Sequence, residues 1–498
     1  MPYSQDLRDK QADQATRVVV DSNIGEADRP DYECDSHKNQ WKLAQVVRDV
    51  YRGTAHMRTK GEPYLPRLKR ESEVSYKKRL GKARLFNATR RTADGLTGMV
   101  YRKDPILSEE TSPDILEHTK NIDLAGRDLA SFAKDVFTAG GLDGISFVYV
   151  DYPQVWDDGA RRSRAALQRG NIRPFWVHVQ LEDLINWQWE IQNGSPVLTL
   201  AVFKESEIEP VGAYGQQDVT RYRVLRPGSF EVWQERSDPL RWEMVDWGDV
   251  SLSYIPLFPF YFRRTGFFEA EPPLLDLAYE NIGHFELKSE REKSRTIAHI
   301  PLLFLKDFPD DEEIKVSEAE AFRATGSDAD MKWVVYSGEA LSESREDLRD
   351  TEQRMATLGL SLLMARPSPQ TSNQQTATSD LLRKGESDSA LMTAVSAEEN
   401  CLNNALGAHA ELMSVGLLRK AEPGTIRLNR DFHAQQMTAE QVNALSLLVS
   451  EGKLDLDTFW DALVAGEWLP ENFDRELVRE RIANDGMLNI VPIEREAA

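Results

Sequence analysis

Four consecutive acids, Asp310, Asp311, Glu312 and Glu313, form the densest run of possible metal ligands in the chain. Carboxylates of this kind would serve divalent-metal phosphoryl chemistry. Their spacing argues against it, because a Mg²⁺ site draws its carboxylates from separated positions and consecutive acids read as a solvated face. The eight histidines include no His-x-x-x-His or His-Glu-x-x-His pair. His284, His299 and His409 fall in long helical patterns, where a hydrogen-bonded structural role is expected. No Gly-x-x-x-x-Gly-Lys-Ser/Thr loop and no Gly-x-Ser-x-Gly elbow occurs. Gly95 and Gly98 sit inside a helical pattern and read as packing or capping residues. Cys34 and Cys401 have no further Cys or His at ligand spacing, so two free thiols are expected. The reading is a protein without cofactor, metal or chemistry of its own.

A different kind of site lies at 366–380. It runs Arg-Pro-Ser-Pro-Gln-Thr-Ser-Asn-Gln-Gln-Thr-Ala-Thr-Ser-Asp, with no charge between Arg366 and Asp380 in a chain that is 29% charged. Gln370, Thr371, Ser372, Asn373, Gln374 and Gln375 offer hydroxyls and amides only. Such a loop meets a charged polymer without gripping it, because no cation is present to hold a phosphate. The plainer alternative is a disordered connector, which two prolines and the lack of large apolar side chains permit. The two readings are compatible.

Long helices must present that loop. A helix is expected over 272–299, apolar at first (Leu274, Leu275, Leu277, Ala278, Ile282, Phe285) and then charged (Lys288, Glu290, Arg291, Glu292, Lys293, Arg295). A second, over 339–364, runs in the opposite polarity, from Glu343, Arg345, Glu346, Asp347, Arg349 and Asp350 to Met355, Leu358, Leu360, Leu362 and Leu363. Antiparallel, the two would share a dry end and a wet end and carry 300–338 at the tip. That insert has two strand-like runs, at 302–305 and 333–336, around an acidic helix-like piece, with 9 acids against 4 bases. After the neutral loop one long helix is expected over 380–418, a strand at 426–428, and small helices over the last 60 residues. Thr438 and Gln441 read as a capping box.

Upstream, 1–35 reads as a flexible arm. Helices are expected over 39–57, 73–99 and 124–140, and a strand at 145–150 that stops before Pro153. From 174 to 261 the pattern is mostly antiparallel β, so the fold class is α+β.

The net charge of −21 repels nucleic acid in general. The segment 58–103 departs from it, with 14 Lys/Arg against 4 Asp/Glu. It reads as a solvated helix face or as a surface that meets an acidic neighbour. No apolar run approaches the ~20 residues of a membrane span. The start of the chain lacks a basic-then-apolar signal pattern, so a soluble protein made in a cytoplasm is expected.

The order of elements, with several local phrases, resembles the portal proteins of tailed bacteriophages, within them a branch known as an uncharacterised-domain family. The phrases are Tyr64-Leu65-Pro66, the block from Arg84-Leu85-Phe86-Asn87 to Arg90-Arg91 with Gly95 and Gly98, Tyr149-Val150-Asp151-Tyr152-Pro153, Pro272-Pro273-Leu274-Leu275-Asp276-Leu277-Ala278, and Gln375-Thr376-Ala377-Thr378. They span about residues 60 to 410.

Portal proteins form a ring of twelve subunits at one capsid vertex. The resemblance implies a portal-type subunit with an arm at 1–38, an α+β wing at 39–271 and stem helices at 272–299 and 339–365. A small α/β clip follows at 300–338, a tunnel loop at 366–379, a long wing helix with a returning strand at 380–432, and a helical crown at 433–498. The tunnel loop, with Arg366 and Gln370 to Gln375, would surround double-stranded DNA during packaging and ejection. The clip, with Asp310, Asp311, Glu312 and Glu313, would face the large terminase and later the head-completion and adaptor proteins. Major capsid and scaffold proteins would be further partners, the protein would reside in the virion, and no membrane would be involved. Two other classes remain open: another capsid-associated adaptor or scaffold, and an enzyme of phage DNA metabolism.

Overall fold

The computed structural model describes residues 19–20, 25–153, 173–236, 241–298, 302–306, 330–334, 339–363, 377–414, 421–430, 432, 439–450, 453–465, 468–469, 473 and 475–484. Its contacts divide the chain into two units, Met1–Asn429 and Arg430–Ala498. Helices and antiparallel strands are both abundant, an α+β arrangement.

Within the stretch expected to be a loose arm, β1 (Val19–Val20) pairs antiparallel with Glu243 and Trp242. Helix α1 (Asp35–Arg52) begins where the Cys34 Sγ accepts from the His37 backbone N–H at 3.5 Å. It stops at Gly53, whose φ of +87° lies in the left-handed region, and α2 (Thr54–Lys60) follows at once. The single helix expected over 39–57 is therefore two. The helix expected over 73–99 is also interrupted, into α3 (Glu73–Lys82) and α4 (Ala88–Val100). Side-chain caps set both starts: Ser72 Oγ accepts from Ser75 N–H at 3.2 Å, and Asn87 Oδ1 from Arg90 N–H at 2.9 Å. After β2 (Ile106–Leu107) and α5 (Pro113–His118) comes α6 (Leu129–Asp143). It starts later than Leu124, which sits at φ +58°, because Asp128 is its N-cap.

Strand β3 (Ile145–Asp151) lies between β4 (Phe175–Val179) and β10 (Leu257–Tyr261) in a three-stranded sheet. It is buried on both faces except at Asp151, as its unbroken apolar run requires. A six-stranded antiparallel sheet orders β1, β9 (Arg241–Asp249), β8 (Ser229–Arg236), β7 (Gly215–Arg226), β6 (Ser195–Val211) and β5 (Leu184–Gln192). Asn193 and Gly194, both at positive φ, close the β5–β6 hairpin. The inner half of β6 is buried, and its outer half carries Glu205 and Glu209, which pair with Arg223 at 2.6 Å and Arg221 at 2.7 Å on β7. Strands β11 (Arg264–Gly266) and β12 (Glu269–Ala270) form a short hairpin. Phe147, Tyr149, Trp187, Phe203 and Phe268 anchor the core between the sheets.

Helix α7 (Leu275–Ala298) follows, then the antiparallel pair β13 (Leu302–Lys306) and β14 (Asp330–Val334), α8 (Glu339–Leu363), α9 (Ala377–Ser414) and β15 (Ile426–Arg427). Strand β14 begins three residues earlier than the run expected at 333–336, and α9 begins at Ala377, inside the loop expected over 366–379, because Ala377 to Ser379 already continue its helical turns; β15 returns to pair with β2. A second core joins α1, α2, α4, α6, α7 and α8 through Val47, Met57, Ala93, Leu142, Leu277 and Met355.

In the second unit are α10 (Ala439–Ser450), α11 (Leu456–Ala465) and α12 (Arg475–Asn484). Asp455 caps α11, accepting from Thr458 N–H at 2.9 Å. Trp460 meets Phe473 edge-on at 5.5 Å, and Arg479 lies over the Trp460 ring and pairs with Asp457. Thr438 lies outside the described residues.

Candidate functional site

The neutral-loop residues Arg366, Gln370, Thr371, Ser372, Asn373, Gln374 and Gln375 lie outside the described residues, as do Asp310, Asp311, Glu312, Glu313 and His299. What the structure describes is the helical frame around both segments, α7 and α8, and the way their dry ends are fixed.

The two helices are antiparallel. Glu280 meets Arg354 at 3.2 Å and, further along α7, His284 Nε2 meets Glu352 at 3.2 Å further back along α8. On α7, Leu277, Ala278, Asn281, His284 and Phe285 are buried, whereas Glu290 and residues 294–296 are exposed. On α8 the order reverses: Glu343, Arg345, Glu346, Asp347, Arg349 and Asp350 are exposed, and Met355 and Gly359 are buried. The shared dry end expected from the sequence is thus present.

Asn281 locks that end. Fully buried, its Oδ1 accepts from Ala88 N–H at 3.0 Å, Thr89 N–H at 3.2 Å and the Thr89 hydroxyl at 3.2 Å, and its Nδ2 donates to the Phe86 carbonyl at 2.7 Å. One side chain on α7 therefore satisfies the free amides at the start of α4. Helix α8 passes so close to α4 that a Cβ at Gly359 would stand 2.7 Å from Thr92 Oγ1. The Phe86, Asn87 and Arg90-Arg91 phrase of the sequence is the other half of this joint, and Arg91 covers the Phe86 ring at 4.8 Å.

A charged clamp holds α7 further out. Glu71, with its side chain fully buried, accepts from Arg79 Nη2 at 2.8 Å, Lys293 Nζ at 2.9 Å and Leu68 N–H at 3.1 Å. Arg79 above all pulls its carboxyl down to about 2. Part of the basic segment 58–103 is therefore consumed inside the subunit. Lys69, Arg70, Lys78, Lys82 and Arg84 remain exposed.

Among the described residues, His118, His178 and His409 are packing residues. His118 Nδ1 and His409 Nε2 share a hydrogen bond of 2.9 Å, joining α5 to α9, and Trp176 meets the His409 ring edge-on. Burial pushes His409 down to about 3 and His118 to about 4, with Arg173 also opposing a positive charge. The Ser146 hydroxyl bonds His178 Nε2 at 2.8 Å, and burial lowers His178 to about 3.

Below the ordinary value of 6.5 the unfolded chain takes up a proton that folded His409 refuses. Stability is thus present above pH 6.5 and lost as pH falls towards 3. Wild type should lose about 1.4 kcal/mol per pH unit more than His409→Gln between pH 6 and 4. Urea midpoints at each pH measure it; parallel pH profiles would contradict it.

Cys34 and Cys401 are free, the latter buried with its thiol near the Phe258 carbonyl at 3.3 Å. Among the described residues, no group of three or more His, Cys, Asp or Glu could hold a metal, and no helix is long and apolar enough to cross a membrane.

A family model described as a domain of unknown function (DUF4055) matches residues 273–413, from the start of α7 through nearly all of α9. No curated protein matches the chain. Among solved structures, a chain in the virion of a native gene transfer agent particle is similar at 11% identity and a TM-score of 0.36, over 73% of this chain and 85% of that one. A chain in the neck of the empty particle, computed with C6 symmetry, gives 14% and 0.37 over 76% and 89%. One in the neck of the native particle, computed with C12 symmetry, gives 11% and 0.36 over 76% and 89%. TM-scores below 0.5 do not establish a common fold.

Proposed function

We propose that this chain is a portal-type subunit. Copies form a ring at one vertex of a tailed-phage or phage-like capsid, and double-stranded DNA passes through it during packaging and ejection. The observation that carries the reading is the unit α7–β13–β14–α8. Its two antiparallel helices are sewn into the core at one end by Asn281, and their charged end leads into a small strand pair. This is the order that the portal resemblance asks of stem and clip, and the neutral loop follows directly.

The physics of a conduit agrees. Each gripped phosphate would retard sliding, whereas acidic walls keep a duplex centred. A net charge of −21 with an uncharged constriction at Gln370 to Gln375 suits that task. In this reading 300–338, with Asp310, Asp311, Glu312 and Glu313, faces the large terminase and then the head-completion proteins. The capsid and scaffold proteins surround the ring, and the subunit does no chemistry of its own.

Light scattering on the purified protein tests the reading. A closed assembly many times the monomer mass is expected, without ATPase or nuclease activity. A monomer that persists at high concentration, or robust hydrolysis, would overturn it.

A further inference from the structure

Between the charged halves of α7 and α8 lies a cleft of 370 Å³. Five cations line it: Lys288, Arg291 and Arg295 from α7, Arg345 and Arg349 from α8. Two carboxylates share the cleft, Glu292 and Glu352, and Glu352 is already taken by His284 at 3.2 Å. None of the five cations is ion-paired or hydrogen-bonded through its side chain among the described residues. The Arg291 Nε is buried without a partner, and so is Nδ1 of His284, a residue 1% exposed. Like charges gathered at short range, with a buried donor unanswered, leave a place for an acceptor-only, anionic group.

A separate face of α8 supplies a match. Glu343, Glu346, Asp347 and Asp350 are exposed, and none pairs with a cation among the described residues. They stand at i, i+3, i+4 and i+7, one stripe of a helix, about 130° round the helix from Arg345 and Arg349. Lys288, Arg291 and Arg295 stand at i, i+3 and i+7. Both rows therefore extend over about 10 Å at the helical rise. One helix pair thus offers a cationic cleft and, on a separate face, an acidic ridge of equal length. Non-identical faces of this kind join copies head to tail, the contact from which a ring is built where the rotation closes.

We propose that the cleft is a socket for the acidic ridge Glu343, Glu346, Asp347 and Asp350 of a second copy of this chain. The proposal rests on the reading that copies stand side by side in a ring, and it names the contact that sets their register. The ridge is a better occupant than a duplex, because its row of carboxylates matches the cationic row of α7 in length and is opposite to it in sign.

Charge reversal on each side tests it in the full chain. Arg345→Glu with Arg349→Glu reverses the cleft, and Glu346→Arg with Asp347→Arg reverses the ridge. All four positions are exposed, so both variants should keep the wild-type circular dichroism spectrum. Each should raise the protein concentration needed for half-assembly by about tenfold or more at low salt. All four substitutions in one chain should bring it back towards wild type. Should a variant fail to fold, the wild type alone decides, since its half-assembly concentration should climb with added salt. If wild type forms rings and both reversals assemble equally well, or salt has no effect, the socket is wrong and the ring reading survives. A wild type that never assembles removes both. Duplex DNA held by wild type and released by the cleft reversal, with assembly unchanged, would assign the cleft to nucleic acid and overturn the proposal.

Discussion

Lysine at Gln370, Gln374 and Gln375 should turn a slippery constriction into a brake. In a ring of twelve, three lysines per copy bring about 36 cations to the duplex, where the native loop offers none between Arg366 and Asp380. Each phosphate neutralised adds about 0.9 to the slope of log affinity against log salt. Even 6–10 contacts make affinity fall by about 10³ to 10⁵ between 50 and 200 mM salt. The variant ring should therefore retain linear duplex at 50 mM salt and release it at 200 mM, while wild type retains little at either. Packaging of DNA into particles should stall with the lysine variant. Neutral replacements, Gln→Asn or Gln→Ser, should behave as wild type, because charge rather than shape is the variable. Unimpeded passage through the lysine variant would remove the neutral loop from the channel wall.

Arg48→Met should unfold the subunit at much lower urea. Arg48 on α1 holds Asp143, the last residue of α6, through Nε at 2.6 Å and Nη2 at 2.5 Å, and its Nη1 donates to Gln180 at 2.7 Å. Asp143 is fully buried, and that burial pushes its carboxyl above the ordinary range while the guanidinium opposes the shift. Removing only the cation leaves a buried acid without its partner and should cost about 3–5 kcal/mol. Replacing both, as Arg48→Met with Asp143→Leu, should recover most of that loss, since apolar pairs often match or exceed buried ion pairs. Urea denaturation of the wild type, single and double variants measures the cycle. A single variant within about 0.5 kcal/mol of wild type would mean that the pair carries no such cost.

Long periodic stretches were legible in the sequence. The apolar-to-charged run from Leu274 to Arg295 and its mirror from Glu343 to Leu363 place two antiparallel helices, because helix polarity follows from which turns face the core. The strand from Ile145 was legible too, since six buried residues in a row leave no helical stripe. Breaks within helices were harder. Gly53 looks like any helical glycine until its left-handed φ is known, and Asn87 looks like an interior polar residue until it is found capping α4. Asn193-Gly194, between two apolar-rich runs, is a hairpin signal in plain view, and it closes β5–β6. The joint at Asn281 could not be read at all. An asparagine in an amphipathic helix gives no sign that it will meet amides 192 and 193 residues away. The cationic cleft is hidden for the same reason, because it exists only once the charges of α7 and α8 face each other.

A cryo-EM map of the purified assembly tests the central claim most directly. It should contain a closed ring with an axial hole, and residues 366–375 of every copy should border that hole at its narrowest level. A ring with those glutamines and threonines on its outer edge, or a field of single subunits, would contradict the account.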